Sequence, residues 1–171
     1  MACLVDSGFS LGCFTAAGAR RVLIGTYDGS ATFDSTTDDS IIEAITTTST
    51  YFVFEQEIET ASLSQTVSVN RQGGSVKFEQ TVSLALQGLT PETRKAFQML
   101  AVAPLHVIIE DANGQYWLVG QENGARVSSA EFSTGVAMDD NVGATIELLG
   151  IEAVAARNVD SVLIDPLVNP V

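Results

Sequence analysis

Chemistry in this chain would have to come from very few side chains. His106 is the only histidine, and Cys3 and Cys13 are the only cysteines. A nucleophilic triad needs a base beside a hydroxyl or thiol, oriented by an acid. Nothing in the sequence marks such a set around His106, which reads as a structural strand residue beside Val107 and Ile108. One histidine and two distant cysteines do not make a zinc site. Cys3 and Cys13 could pair, but two thiols in a cytosolic product are more commonly reduced. Asp139-Asp140-Asn141 followed by Gly143 has the flavour of a calcium loop. It lacks the helical context, and Gly150 stands where the bidentate glutamate belongs, so a plain turn is the better reading. Glu55, Glu57 and Glu59 alternate, which on a strand places them on one face at about 7 Å steps. A hydrolytic carboxylate pair sits on separate elements facing a cleft, so these three read as a solvated strand face. Trp117 beside Tyr116 could be a sugar platform, but it fits a core or interface aromatic better. No glycine motif resembles a phosphate cradle. The sequence predicts no enzyme, no cofactor and no metal site.

Composition points the same way. The 171 residues suit one domain spanning 1–171 with a real core. Charged residues make up 17% of the chain, so Ser and Thr must supply much of the polar surface. The formal net charge is -13, and no Lys or Arg occurs from Val22 to Asn70. Gripping nucleic acid takes Lys and Arg against phosphates, and eight scattered bases argue against tight DNA binding. The acid excess suits solubility, or a surface that must not stick to a polyanion. No stretch approaches the roughly 20 apolar residues of a membrane span. The opening residues lack the basic and hydrophobic regions of a signal peptide.

The strongest structural signal is a long amphipathic hairpin. On one arm Ala61, Leu63, Val67 and Val69 alternate with Ser62, Ser64, Thr66 and Ser68; on the other Val76, Phe78, Val82, Leu84 and Leu86 alternate with polar residues. That period of two belongs to strands with one covered and one wet face. A loop of Arg71 to Gly74 sets Val69 opposite Val76, Val67 opposite Phe78, Leu63 opposite Val82 and Ala61 opposite Leu84. It also sets Gln65 against Gln80, the only polar pair on the apolar face. Upstream, Phe52, Phe54 and Ile58 hold the opposite phase, so a bulge or a change of sheet is expected between Ile58 and Ala61. An unbroken arm from Tyr51 to Asn70 would run roughly 65 Å, against a diameter near ~40 Å for a domain of this size. The hairpin must therefore bend or project. A projecting apolar face needs a partner, which makes Leu63, Gln65, Val67, Val69, Val76, Phe78, Gln80 and Val82 candidate subunit-interface residues.

The other elements follow from local signals. Arg21 to Tyr27 reads as a strand, Asp28-Gly29-Ser30 as a turn, and Ala31 to Ser40 as a loop or weak strand. Ile41 to Ile45 fits a strand or a helical turn, with a hydroxyl-rich loop to Thr50. Thr90 as N-cap, Pro91 at the first position and Glu92 near the positive end of the dipole open one helix, which Pro104 closes. Asn113-Gly114 marks a hairpin, and Asn123-Gly124 a further turn before the strand Ala125 to Phe132. Ala144 to Leu149 forms a late strand. The segment 157–171, with Pro166 and Pro170, reads as an extended tail that docks on a neighbour. The expected fold is mainly β: a barrel or sandwich of antiparallel strands with one helix and a protruding hairpin.

This order of elements resembles bacteriophage tail tube proteins and their relatives in contractile injection systems. The residues carrying the likeness are the long hairpin, the Leu89-Thr90-Pro91-Glu92 helix start, and the runs from Asn123-Gly124-Ala125-Arg126-Val127 to Thr145-Ile146-Glu147-Leu148. The opening, with Cys3, Ser7-Gly8 and Leu11-Gly12-Cys13, is similar to that of other virion proteins. The insert from Ala31 to Thr50 and the long tail depart from the pattern. The resemblance implies a virion structural protein, assembled in the host cytoplasm, whose hexameric rings stack into a tube through which DNA passes as transient cargo. Its partners would be further copies of itself and other tail or connector proteins, with no membrane. A tail terminator, a head–tail connector or a baseplate hub piece is the alternative within that fold. Acidic residues would then repel DNA from the lumen, with Asp34, Asp38, Asp39, Glu55, Glu57 and Glu59 as candidates. Outside that fold, the competing readings are a secreted β-sandwich binding module using Trp117 and Tyr116, and a small β-barrel hydrolase.

Overall fold

The computed structural model describes residues 16–35, 41–57, 59–88, 90–134 and 142–168. The chain is mainly β, and its principal sheet is not closed into a barrel. The strands are β1 (Ala19–Thr26), β2 (Thr32–Asp34), β3 (Ile41–Ile42), β4 (Ala44–Thr46), β5 (Tyr51–Glu55) and β6 (Ser62–Asn70). They continue as β7 (Ser75–Gln87), β8 (Leu105–Asp111), β9 (Tyr116–Val119), β10 (Ala125–Ser133), β11 (Gly143–Glu152) and β12 (Arg157–Val159). Helix α1 (Pro91–Leu100) lies between β7 and β8; a 3₁₀ turn (Ser161–Leu163) and α2 (Ile164–Leu167) follow β12.

Ten strands form one hydrogen-bonded network that folds over where Leu105 of β8 meets Ala125 of β10. The first arm, sheet one, runs β5-β1-β8-β9-β12-β3; the second, sheet two, runs β10-β11-β7-β6. Val22, Ile24, Val107, Ile109 and Val119 of sheet one pack against Val82, Leu84, Ile146 and Leu148 of sheet two, with Phe97 of α1 closing one end. Pairing is antiparallel throughout except between β12 and β3.

Sheet one is covered on both faces. Leu23, Ile108 and Leu118 point away from sheet two into a second cluster with Ile42, Tyr51, Val159 and Ile164. The β2–β4 hairpin adds Phe33 and Ile45 to this cover. Burial on both sides explains why Val22-Leu23-Ile24 and Leu105 to Ile109 are continuous apolar runs. Gly25 belongs to the same arrangement, since a Cβ there would stand 3.1 Å from the Tyr51 ring that lies across it.

The hairpin register is the expected one, with Val69 opposite Val76, Val67 opposite Phe78, Gln65 opposite Gln80 and Leu63 opposite Val82. The break in phase is real as well. Strand β5 stops at Glu55, Glu59 takes a left-handed φ of 67°, and β6 begins at Ser62 beside a different neighbour. The hairpin projects, because β11 accompanies β7 only as far as Phe78, leaving the tip beyond it.

The tail does not await a neighbour in the way the sequence suggested. Residues 157–159 form β12 between β9 and β3, Ile164 is buried, and Val168 bridges to Tyr51. Its apolar residues complete the outer cover of this chain's own sheet one. Positions 169–171 lie outside the described residues.

Candidate assembly surface

The side chains that could do chemistry are placed as structural parts. His106 is fully buried, with its ring edge-on to Tyr27 at 4.8 Å and to Phe33 at 5.3 Å. Neither ring nitrogen meets a hydrogen-bond partner, and burial pulls its pKa below the ordinary value, against weaker opposing effects of the Gln121 backbone and Asp28. Trp117 is half-buried and packs on the inter-sheet core. Tyr116 is buried and receives a hydrogen bond from Arg21 at 3.0 Å; Arg21 also pairs with Glu110. Among the described residues no three His, Cys, Asp or Glu side chains gather to hold a metal, and no helix is long and apolar enough to cross a membrane. Cys3, Cys13 and residues 139–141 lie outside the described residues.

Gln80 and Val82 are not surface residues. Val82 is wholly buried in the inter-sheet core, and Gln80 is 2% exposed. The Gln80 carboxamide accepts from the Gly120 N–H at 3.2 Å and donates to the Val154 carbonyl at 3.3 Å, tying sheet two to the connections between β9 and β10 and between β11 and β12. That accounts for a polar residue on the apolar face. Glu152 does a similar job two rungs away. Its carboxylate accepts from the N–H groups of Glu122 and Asn123 and from the Asn123 side chain, while burial raises its pKa. Alternation alone reports that a face is covered. It does not say whether the cover comes from the same chain or another.

Beyond Gln80 the apolar face is only partly covered by the described residues. Val67, Val69 and Val76 are 53%, 60% and 46% exposed; Leu63 and Phe78 are half-buried and Gln65 is exposed. The turn is shaped locally, with the Asn70 side chain accepting from the N–H groups of Gln72 and Gly73 and Gly74 at φ 66°.

Sheet two is also open at both edges. Strand β6 has β7 on one side and, among the described residues, no strand on the other. After Ala125, β10 pairs, among the described residues, with β11 alone. Both are nine residues long and run in opposite directions within the sheet. The outward face carries Ser62, Ser64, Thr66 and Ser68 on β6, Thr81 and Ser83 on β7, Thr145 on β11 and Ser129 on β10. Glu79, Glu131, Glu147, Lys77 and Arg126 share that face, with Ala85, Leu149 and Ile151 as apolar interruptions. The open edge of β10 had no signal in the sequence, because hydrogen-bond partners leave no mark on periodicity.

The six acidic candidates are not one surface. Asp34 ends β2 over the outer side of sheet one, and residues 38 and 39 lie outside the described residues. Glu55 ends β5, while Glu57 and Glu59 sit in the connection to β6, so the three glutamates do not share a strand face. Comparison with protein-family models, curated proteins and solved structures gave no match.

Proposed function

We propose that this chain is a self-assembling structural subunit of the tail-tube type, forming rings that stack into a channel. The observation that carries the reading is sheet two: four strands, two matching open edges, one face buried and one face polar. Exposed edges of this length invite pairing with another chain. Because β6 and β10 are antiparallel to each other, a copy related by simple rotation presents its β10 antiparallel to the first copy's β6. Repeating that rotation closes a ring without reversing any subunit.

The same geometry favours one face of sheet two for the lumen of such a ring. Sheet one and α1 occupy the inner face of sheet two, so they must lie outside the ring, and the hydroxyl-rich face lines the channel. That moves the lumen away from Asp34, Glu55, Glu57 and Glu59 and onto Ser, Thr, Glu79, Glu131 and Glu147. A hydroxyl carpet with few bases offers a passing polyanion little to bind, which suits transient passage of DNA. Six copies, stacking, virion placement and host-cytoplasm assembly rest on the sequence resemblance. A terminator, connector or hub of the same fold would share the ring and differ in whether it stacks. The binding-module reading draws less support, because Trp117 is packed on the core.

Negative-stain electron microscopy and sedimentation across a concentration series test the proposal. Rings or tubes with a central channel are expected, and deleting 70–74 or Val67→Asp should abolish the tubes with the subunit still folded. A clean monomer at high concentration overturns the reading.

A further inference from the structure

Sheet two carries complementary features at its two ends. One end is the hairpin tip, where exposed Val67, Val69 and Val76 are accompanied by Arg71 in the turn and Lys77 on β7. Lys77 is engaged by Glu79 at 2.6 Å, while Arg71 makes no ion pair among the described residues. In a chain of net charge -13, Arg71 is the first base after the run from Val22 to Asn70 that holds none.

The other end is a groove of about 640 Å³ lined by Val53, Phe54, Glu55, Glu57, Leu86 and Ala96, among others. It exists because β6 gives out too early. Strand β6 starts at Ser62 opposite Ser83, and the last turns of β7 are met instead by Gln56, whose side chain accepts from the Ala85 N–H at 3.0 Å. Its lining mixes apolar Val53, Phe54, Leu86 and Ala96 with two carboxylates that have no ion-pair partners among the described residues. Lys95 neighbours Ala96 on α1 but does not line the groove.

We propose that the tip of one copy seats in this groove of the next, Val69 and Val76 against Phe54 and Leu86, and Arg71 against Glu55 and Glu57. This rests on the assembly reading above. Donor and acceptor lie at opposite ends of the same sheet, so the contact is head-to-tail and repeats along the strand direction. It leaves the β6 and β10 edges free, and so acts between rings and not within one. Opposite charges flanking an apolar contact fix its register and disfavour the tip-to-tip alternative.

Charge reversal tests the pairing directly. Four proteins are compared by sedimentation velocity and negative stain: the native chain, Arg71→Glu, the Glu55→Lys/Glu57→Lys double variant, and the triple combination. All changes are at exposed positions, and unchanged thermal melting verifies the fold. Each partial reversal should raise the concentration needed for stacking about tenfold or more, with single rings persisting. The triple variant should return to within about threefold of the native chain, and salt should weaken its stacking and the native chain's alike. Partial reversals that stack like the native chain, or a triple variant no better than its parents, overturn the docking while the assembly reading stands. A native chain that forms no assembly overturns both.

Discussion

Sheet one and sheet two share a core but differ in what covers their other faces. The second face of sheet one, with Leu23, Ile108 and Leu118, is covered by the β2–β4 hairpin and by α2 with the turn before it. Among the described residues nothing covers the second face of sheet two, which carries hydroxyls and a few charges, or pairs with its edges. The polar chemistry follows the same division. Buried Glu110 in sheet one is met by Arg21 of the neighbouring strand, whereas the ion pair on sheet two, Lys77 with Glu79, stands in solvent. One half of the molecule is finished by folding. The other keeps one face and two edges that no described residue of this chain covers.

The largest effects should separate the covered face from the bare one. Ile108→Ala, on the second face of sheet one, removes a fully buried side chain and should cost about 2–5 kcal/mol. Leu148→Ala, in the inter-sheet core, should cost a similar amount. Thr145→Ala, on the exposed face of sheet two, should stay within about 0.5 kcal/mol. Urea unfolding of the three variants under monomeric conditions measures this. An Ile108→Ala loss no larger than that of Thr145→Ala would show that the outer layer contributes no core, and the comparison would fail.

This division was only half legible in the sequence. Sheet two wrote itself out plainly, since a face left wet must alternate, and both arms of the hairpin alternate in one consistent register. The α1 start at Thr90-Pro91 and the Asn113-Gly114 turn were equally readable, because capping and left-handed turns impose residue types locally; Gly114 has φ 77°. Sheet one was harder. Faces buried on both sides lose the period of two, and Ile41–Ile42 is too short to carry any period. The docking of residues 157–168 depends on long-range contacts with Tyr51, Tyr116 and Ile42 that no local pattern records. Glu55, Glu57 and Glu59 kept strand spacing, but the left-handed backbone at Glu59 breaks the strand they imitate. Gln80 and Val82 were placed on the right face and assigned to the wrong cover.

The covered face of sheet one should also make stability depend on pH. His106 is buried without a hydrogen-bond partner for either ring nitrogen, and burial lowers its folded pKa. The unfolded chain, with an ordinary histidine pKa of about 6.5, therefore takes up a proton first as pH falls. Stability should decline below that value and stop declining once pH passes the lowered folded pKa. Within that window the slope from this one group stays below the roughly 1.4 kcal/mol per pH unit that a whole proton would give. His106→Phe, which can keep the edge contacts to Tyr27 and Phe33, should remove that component, while Thr145→Ala on sheet two should retain it. Parallel pH profiles for His106→Phe and the native chain would instead mean that the cover admits a proton without cost.

The smallest effect on stability belongs to the hairpin tip, and it is the most informative about the comparison. Val69 is 60% exposed and paired only with Val76, itself 46% exposed. Little apolar area leaves water there when a single chain folds, so Val69→Ser should change monomer stability by no more than about 0.5 kcal/mol. If the tip is finished by a second copy, the same change should reduce assembly far more than it reduces stability. A drop in monomer stability above about 1 kcal/mol would mean that the tip is already covered by its own chain. Equal, small effects on both would leave β6 and β10 as the surfaces through which sheet two is completed, and the apolar tip as a feature of the strand pairing alone.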